Sequence, residues 1–441
     1  MSATQVGSVA AIVGTVGVVG TVGVVGTVGV VGTVGVVGGG PAGLIAAEHL
    51  ARAGHRVVVH DRMRVVGRKF LLAGRGGLNL THAEPLPDFA SRYGSAASFL
   101  QASIEAYPPE AVREWSHSLG QPTFVGSTQR VFPEGLHATD LLRAWLRRLE
   151  LLGVTFVRST LVRVSPATVV ATTDSTDTTY TYDAVVLALG GASWPRLGAD
   201  GTWVAGLREH GVEVHDFAPA NCGVNVNWSS YIVDKFAGAP LKNVAVSTGF
   251  TPPVRGEIVI TRHGLEGGPI YALGPQLRSR TLTHQRLDLR LDLRPDVAGD
   301  ALYTRLSALD PKLSLTNRLR KVSLDLTAAA IVREFAPNAK SPGELAAAIK
   351  GLRVVTTGLA SLDRAISSSG GVALDEVDDH FMLRKLPGVF VAGEMLDWDA
   401  PTGGYLLQAC FSTGVAAAAG ANRWIARPRV HGSATGSATG A

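Results

Sequence analysis

The chain has 441 residues, 46% hydrophobic and 17% charged, with a formal charge of +5 and two cysteines. At roughly 100 to 200 residues per domain, that length implies two or three domains and room to enclose a cofactor. The composition excludes a disordered chain; the scattered arginines of "RAWLRRL" and "LRKVSLDL" argue against dedicated nucleic-acid binding; and Cys222 and Cys410, far apart and in no CxxC pair, exclude a disulfide framework and a dithiol redox centre.

No charged side chain occurs from Met1 to Ala47, a length that suits a membrane span. The stretch is nonetheless built from four copies of TVGVVG, residues 15–38, whose Gly and Val disfavour a helix, and "MSATQVGSVAA" lacks the basic start of a signal peptide. The expectation is a cytoplasmic protein with no membrane partner. Excising the copies joins VAAIVG to GGPAG and leaves a continuous strand, turn, helix and strand. Only Val34 to Gly38 then takes the place of the first strand. Residues 1–33 are expected to be a low-complexity extension without function.

Gly38, Gly40 and Gly43 follow that Val-rich strand in GxGxxG spacing, and Pro41 and Ala42 open the next helix. The three glycines serve a tight turn, close approach of backbone to a pyrophosphate, and close packing of helix on strand. The helix N-terminus adds free amides and a positive dipole end. The second strand ends at Asp61, eighteen residues after Gly43, where a carboxylate accepts hydrogen bonds from a ribose 2′-hydroxyl. Strand before, helix after and acid at the end of the second strand together indicate dinucleotide binding.

Farther on, "GRKFLLAGRGGLNLTH" gathers Arg68, Lys69 and Arg75 with Asn79, a loop suited to a pyrophosphate or to plain solvation. "ATDLLRAWLRRLELLG" reads as an amphipathic helix, and "AVVLALGG" as a buried parallel strand ending in Gly190 and Gly191. From about residue 196 the pattern changes. "NVAVSTGF", "GEIVIT" and "LDLRLDLRPD" alternate like half-exposed antiparallel strands, and residues 299–351 read as helices broken at Pro311, Pro337 and Pro342. "VFVAGE" is again a buried strand, ending in Gly393 and Glu394, and "PTGGYLLQACFSTG" starts a helix near Gly404. Glu394 is placed for ribityl hydroxyls and the helix N-terminus for the negative charge of a reduced flavin; a solvated carboxylate and an ordinary turn are the plainer readings.

Five segments, Gly67 to His82, Arg130 to Leu142, Tyr182 to Gly201, Gly256 to Ile270 and Pro387 to Ala418, resemble in their order the HI0933-like (BaiN/YhiN, aminoacetone-oxidase-like) FAD-dependent flavoproteins. The resemblance spans roughly residues 34–425. It departs at Gly77-Leu78-Asn79, at Leu406 and at His137, where many members carry RCN, Asn and Lys. It implies an α/β fold: a Rossmann-like FAD-binding domain in two parts, 34–195 and 356–427, and an inserted β-rich domain with a small helical cap, 196–355. It also implies FAD contacts at Arg62, Gly76, Leu80, Thr81, Gly403, Tyr405 and Leu406, beside those read above. The low-complexity end "PRVHGSATGSATGA" is expected to be a disordered tail, 428–441.

Flavin carries the electron chemistry, so the chain needs no catalytic motif of its own, and none stands out. Arg130, His137 and His263, with His117, are polar residues near these segments that meet a substrate or simply face solvent. No second GxGxxG is present for a resident nicotinamide. The expected function is therefore an FAD oxidoreductase of a small molecule, reduced by transiently docking NAD(P)H. The alternatives are an amine oxidase using O2, an RNA-modifying flavoprotein, and a non-catalytic flavin-binding protein. No metal and no nucleic-acid partner are expected.

Overall fold

The computed structural model describes residues 31–427 except 75, 251 and 283–287. Most of the expected N-terminal extension and the expected tail, 428–441, lie outside the described residues. Five parallel strands form the central sheet in the order Val389–Val391, Ala184–Leu187, Thr33–Val37, Arg56–Asp61, Thr155–Arg158. Val34, Val36, Val185, Val186, Val389 and Val391 are fully buried, as parallel strands covered on both faces require. The fold is α/β and Rossmann-like.

Helix Pro41–Arg52 follows the first strand and packs along the long C-terminal helix Tyr405–Ile425. Gly414 allows the approach: a Cβ there would lie 2.5 Å from the Ala42 carbonyl oxygen and from Ile45 Cγ2. The helix is pinned by Glu48, whose buried carboxylate accepts from the indoles of Trp115 (3.0 Å) and Trp145 (2.8 Å) and pairs with Arg52 and Arg148. The amphipathic segment forms helix Ala138–Leu151, which buries Leu141, Leu142, Trp145 and Leu149. An antiparallel meander, Thr160–Ser165, Thr168–Thr173 and Thr176–Thr181, then leads back to the sheet.

A second sheet of seven antiparallel strands runs in the order Leu352–Val355, Asp288–Asp292, Pro240–Ser247, Val254–Ile260, Gly264–Glu266, Val224–Asn225, Gly358–Leu359. Helices Gly299–Ser307, Leu326–Phe335 and Pro342–Gly351 share its apolar core. The expected boundary at 196 falls too early. Trp203, Leu207, Val212 and Val214 pack into the core of the parallel sheet, and the second core begins at Val224. The chain leaves and returns through an antiparallel pair, Val214–Ala220 with Ser367–Val372. Among the described residues no helix is long and apolar enough to cross a membrane.

Candidate functional site

The chain turns sharply where the first strand ends. Gly38 has φ of 109°, and a Cβ there would overlap the Ala188 carbonyl. A Cβ at Gly43 would overlap the Gly38 carbonyl, so this glycine serves helix packing. Gly40 differs from both: its φ is −82° and a Cβ would meet nothing within 4 Å. It faces open space in front of the first-turn amides, which have no acceptor within the helix.

That space is a cavity of about 520 Å³ outside the carboxyl ends of the parallel strands, a size and a place suited to a cofactor. Gly38, Gly40, Pro41 and Ala42 line it from the first turn. Asp61 and Arg62 line it from the second strand, and Arg68, Lys69 and Asn79 from the following loop. Gly190, Gly393 and Glu394 contribute from two further strand ends, and Gly403, Gly404 and Leu406 from the start of the C-terminal helix. Segments about 350 residues apart in sequence therefore face one hollow.

The polar groups are arranged unevenly. Asp61 accepts from the amides of Gly39 and Met63, each at 2.7 Å, and burial raises its pKa above the ordinary carboxylate value. Glu394 is already engaged by the protein. Lys69 Nζ donates to it at 2.7 Å and the Ser368 amide at 3.0 Å, while the same ammonium donates to Ser193 Oγ at 2.9 Å. Arg62 pairs with Asp200. Of the four Lys and Arg side chains lining the cavity, Arg68 and Arg130 alone have no hydrogen-bond or ion-pair partner among the described residues. Asn79 Oδ1 is buried without a hydrogen-bond donor. A cradle open at Gly40, an orphaned acceptor and the free guanidinium of Arg68 are features an anionic, hydrogen-bonding dinucleotide fits.

Other expected site residues lie elsewhere. Leu80 is buried in the core, and the Thr81 hydroxyl donates to Gln408 at 2.7 Å; both lie in or beside the two-residue strand Thr81–His82, which is too short to show its facing in the sequence. Tyr405 stacks on His82 and donates its hydroxyl to Glu84. A Cβ at Gly191 would overlap Ser368 Oγ, and Gly76 does not line the cavity. His137 precedes helix Ala138–Leu151 without a side-chain hydrogen bond to its first turn, His263 sits in the turn before Gly264–Glu266, and His117 bonds Thr123 at 2.9 Å; none of the three histidines lines the hollow.

Sequence reasoning missed several lining residues. His60 bonds Ser159 (2.9 Å) and Tyr182 (2.6 Å), and burial lowers its pKa to about 4, which keeps the ring neutral. Trp194 holds a left-handed backbone, φ 60°, and Ile366 and Trp398 add apolar wall. Burial pushes the Cys222 and Cys410 thiols up to about 11 and about 12, so neither is a thiolate at neutral pH. No cluster of metal-ligating side chains occurs among the described residues.

The family model of the HI0933-like protein Rossmann domain matches residues 32–420. A 3-dehydro-bile acid delta(4,6)-reductase of Clostridium scindens is 26% identical over 404 residues, covering 85% of this chain and 95% of that enzyme. A ribosomal RNA dihydrouridine synthase of Escherichia coli is 25% identical over 404 residues, covering 86% and 95%. Among solved structures, the 3-ketosteroid-delta4-(5alpha)-dehydrogenase of Rhodococcus jostii is 17% identical, with a TM-score of 0.48 and coverage of 90% of this chain and 97% of that one.

Proposed function

The chain belongs to the HI0933-like family of FAD-dependent oxidoreductases, and on that premise we propose that it reduces an electron-poor carbon–carbon double bond of a small organic molecule, with transiently docking NAD(P)H as donor. The observation that carries the reading is the shared cavity: the open glycine turn at one side and Gly393, Glu394, Gly403 and Gly404 at the other. Bound FAD supplies two-electron chemistry between donor and acceptor. The chain's own part is to hold and enclose. First-turn amides and Arg68 would hold the pyrophosphate and Asp61 the ribose, while Lys69 fixes Glu394 at the cavity wall. Trp398 and Leu406 exclude water.

Both relatives carry names that describe the addition of hydrogen to a double bond, although their substrates differ. In that reaction the double bond, NAD(P)H and one proton give the saturated product and NAD(P)+. The relative acting on ribosomal RNA favours a second reading, a uracil ring within RNA as acceptor. Anaerobic mixing of the FAD-loaded chain with NADH, NADPH and a panel of amines tests the donor. Bleaching by a nicotinamide supports the reductase, bleaching by an amine supports an oxidase instead, and bleaching by neither removes both. Uridine reduction in added ribosomal RNA would favour the second reading over the first.

A further inference from the structure

The small sheet beside the cavity consists of Thr81–His82, Arg130–Pro133 and Thr123–Val125. Its middle strand alternates, so Arg130 and Phe132 share one face while Val131 is buried. Arg130 lies where this face meets the cavity, its Nε 3.8 Å from the place a Cβ on Gly403 would occupy. His82 stands opposite Arg130 in register, and burial lowers its pKa, which favours the neutral ring, so it adds no second positive charge beside the guanidinium. Away from the cavity the Phe132 ring stacks on Phe124 at 5.7 Å, and Phe124 and Leu136 are both exposed. Leu136 holds a left-handed backbone, φ 58°, uncommon for a leucine and a mark of a shaped loop.

An exposed guanidinium without a carboxylate partner, continued by an aromatic shelf, is complementary to a flat molecule with an electron-rich oxygen at one end. Arg68, the other free guanidinium of the cavity, follows Gly67, whose amide bonds the Gly39 carbonyl at 2.8 Å, and therefore belongs to the phosphate turn. We infer that Arg130 is a substrate-binding residue that takes the carbonyl oxygen of a planar conjugated carbonyl compound whose double bond lies inside the cavity, with Phe132 and Phe124 bordering the part that projects beyond its mouth. The inference rests on the FAD reading of the cavity and adds the substrate's chemical class. A conjugated carbonyl is also what makes a double bond electron-poor, and its oxygen gathers the negative charge that a guanidinium stabilises.

The test uses 4-chlorophenolate, a planar anion that resembles a charged conjugated oxygen, titrated into the FAD-loaded full chain and followed by the flavin absorption. Wild type is expected to bind it saturably, and Arg130→Met to bind it roughly tenfold to a hundredfold more weakly with FAD still in place. Arg130→Lys should recover part of the affinity, and Phe132→Ala should lose several-fold. Arg68→Met should instead lower FAD retention and leave phenolate affinity of the loaded fraction near wild type. Equal phenolate affinity in wild type and Arg130→Met, or no binding to FAD-loaded wild type, overturns the assignment of Arg130. A wild-type chain that takes up no FAD removes the proposed function instead.

Discussion

Replacing Gly40 with alanine separates the fold from the cofactor. Its φ of −82° is open to alanine, and the added methyl would have no protein atom within 4 Å. The loss of a helix-start glycine costs some tenths of a kcal/mol and the stiffer unfolded chain returns about as much, so the apo protein should keep its stability within about 1 kcal/mol. The methyl would stand in the hollow before the first-turn amides, where the pyrophosphate must come close. Pushing it back by about a methyl radius forfeits two charge-assisted hydrogen bonds, on the order of 3 kcal/mol or roughly a hundredfold in FAD affinity. Urea unfolding of the apo chain and quenching of flavin fluorescence on titration read the two effects independently. Gly404→Ala is the contrast: φ is 99° and the methyl would lie 2.5 Å from Thr81 Cα, so stability itself should fall by about 2 to 4 kcal/mol. Gly40→Ala that binds FAD as tightly as wild type, or that unfolds like Gly404→Ala, would refute the reasoning.

Lys69→Met should destabilise the chain by about 1 to 3 kcal/mol, because Glu394 then keeps only the Ser368 donors in a part-buried place; an unchanged urea midpoint contradicts this. Hydrogen bonding to Asp397 raises the His215 pKa above its ordinary 6.5, so this pair contributes stability that is complete below 6.5 and is lost as pH rises through the raised value. The wild-type Tm should therefore fall more than that of His215→Asn between about pH 6 and about pH 9, and parallel curves would remove the link. Deleting residues 15–38 puts Val9 to Val13 in the place of Thr33 to Val37 and should preserve FAD binding. Ala11 would then stand for Gly35, where a Cβ meets the Tyr182 ring at 2.5 Å, so a slightly lower Tm with retained FAD is the expected result, and a chain unable to bind FAD would show that the repeats matter.

What could be read from the sequence was local. Gly38, Gly40 and Gly43 announce their turn because strand, turn and helix are contiguous, and the spacing alone assigns each glycine its task. The pair Lys69 and Glu394 could not be read, since 325 residues separate its members and only the closed sheet brings them together. Leu80 and Thr81 enter the expected site only through the family resemblance, since a strand of two residues, Thr81–His82, carries no alternation to say which way its side chains point. The walls from Trp194 and His60 were missed for a related reason. His60 meets Ser159 and Tyr182 through strand pairings that no spacing encodes. The boundary near 196 failed because the chain's polarity changes before it leaves the first core, which still holds Trp203 and Leu207.

In the proposed function the glycine turn and the Glu394 segment hold a single FAD between them. The absorption spectrum of the purified full chain, before and after incubation with FAD and desalting, tests it most directly. Bands near roughly 370 and 450 nm that survive desalting in wild type and vanish in Gly40→Ala are the predicted result. A folded wild-type chain that stays colourless after exposure to FAD contradicts it.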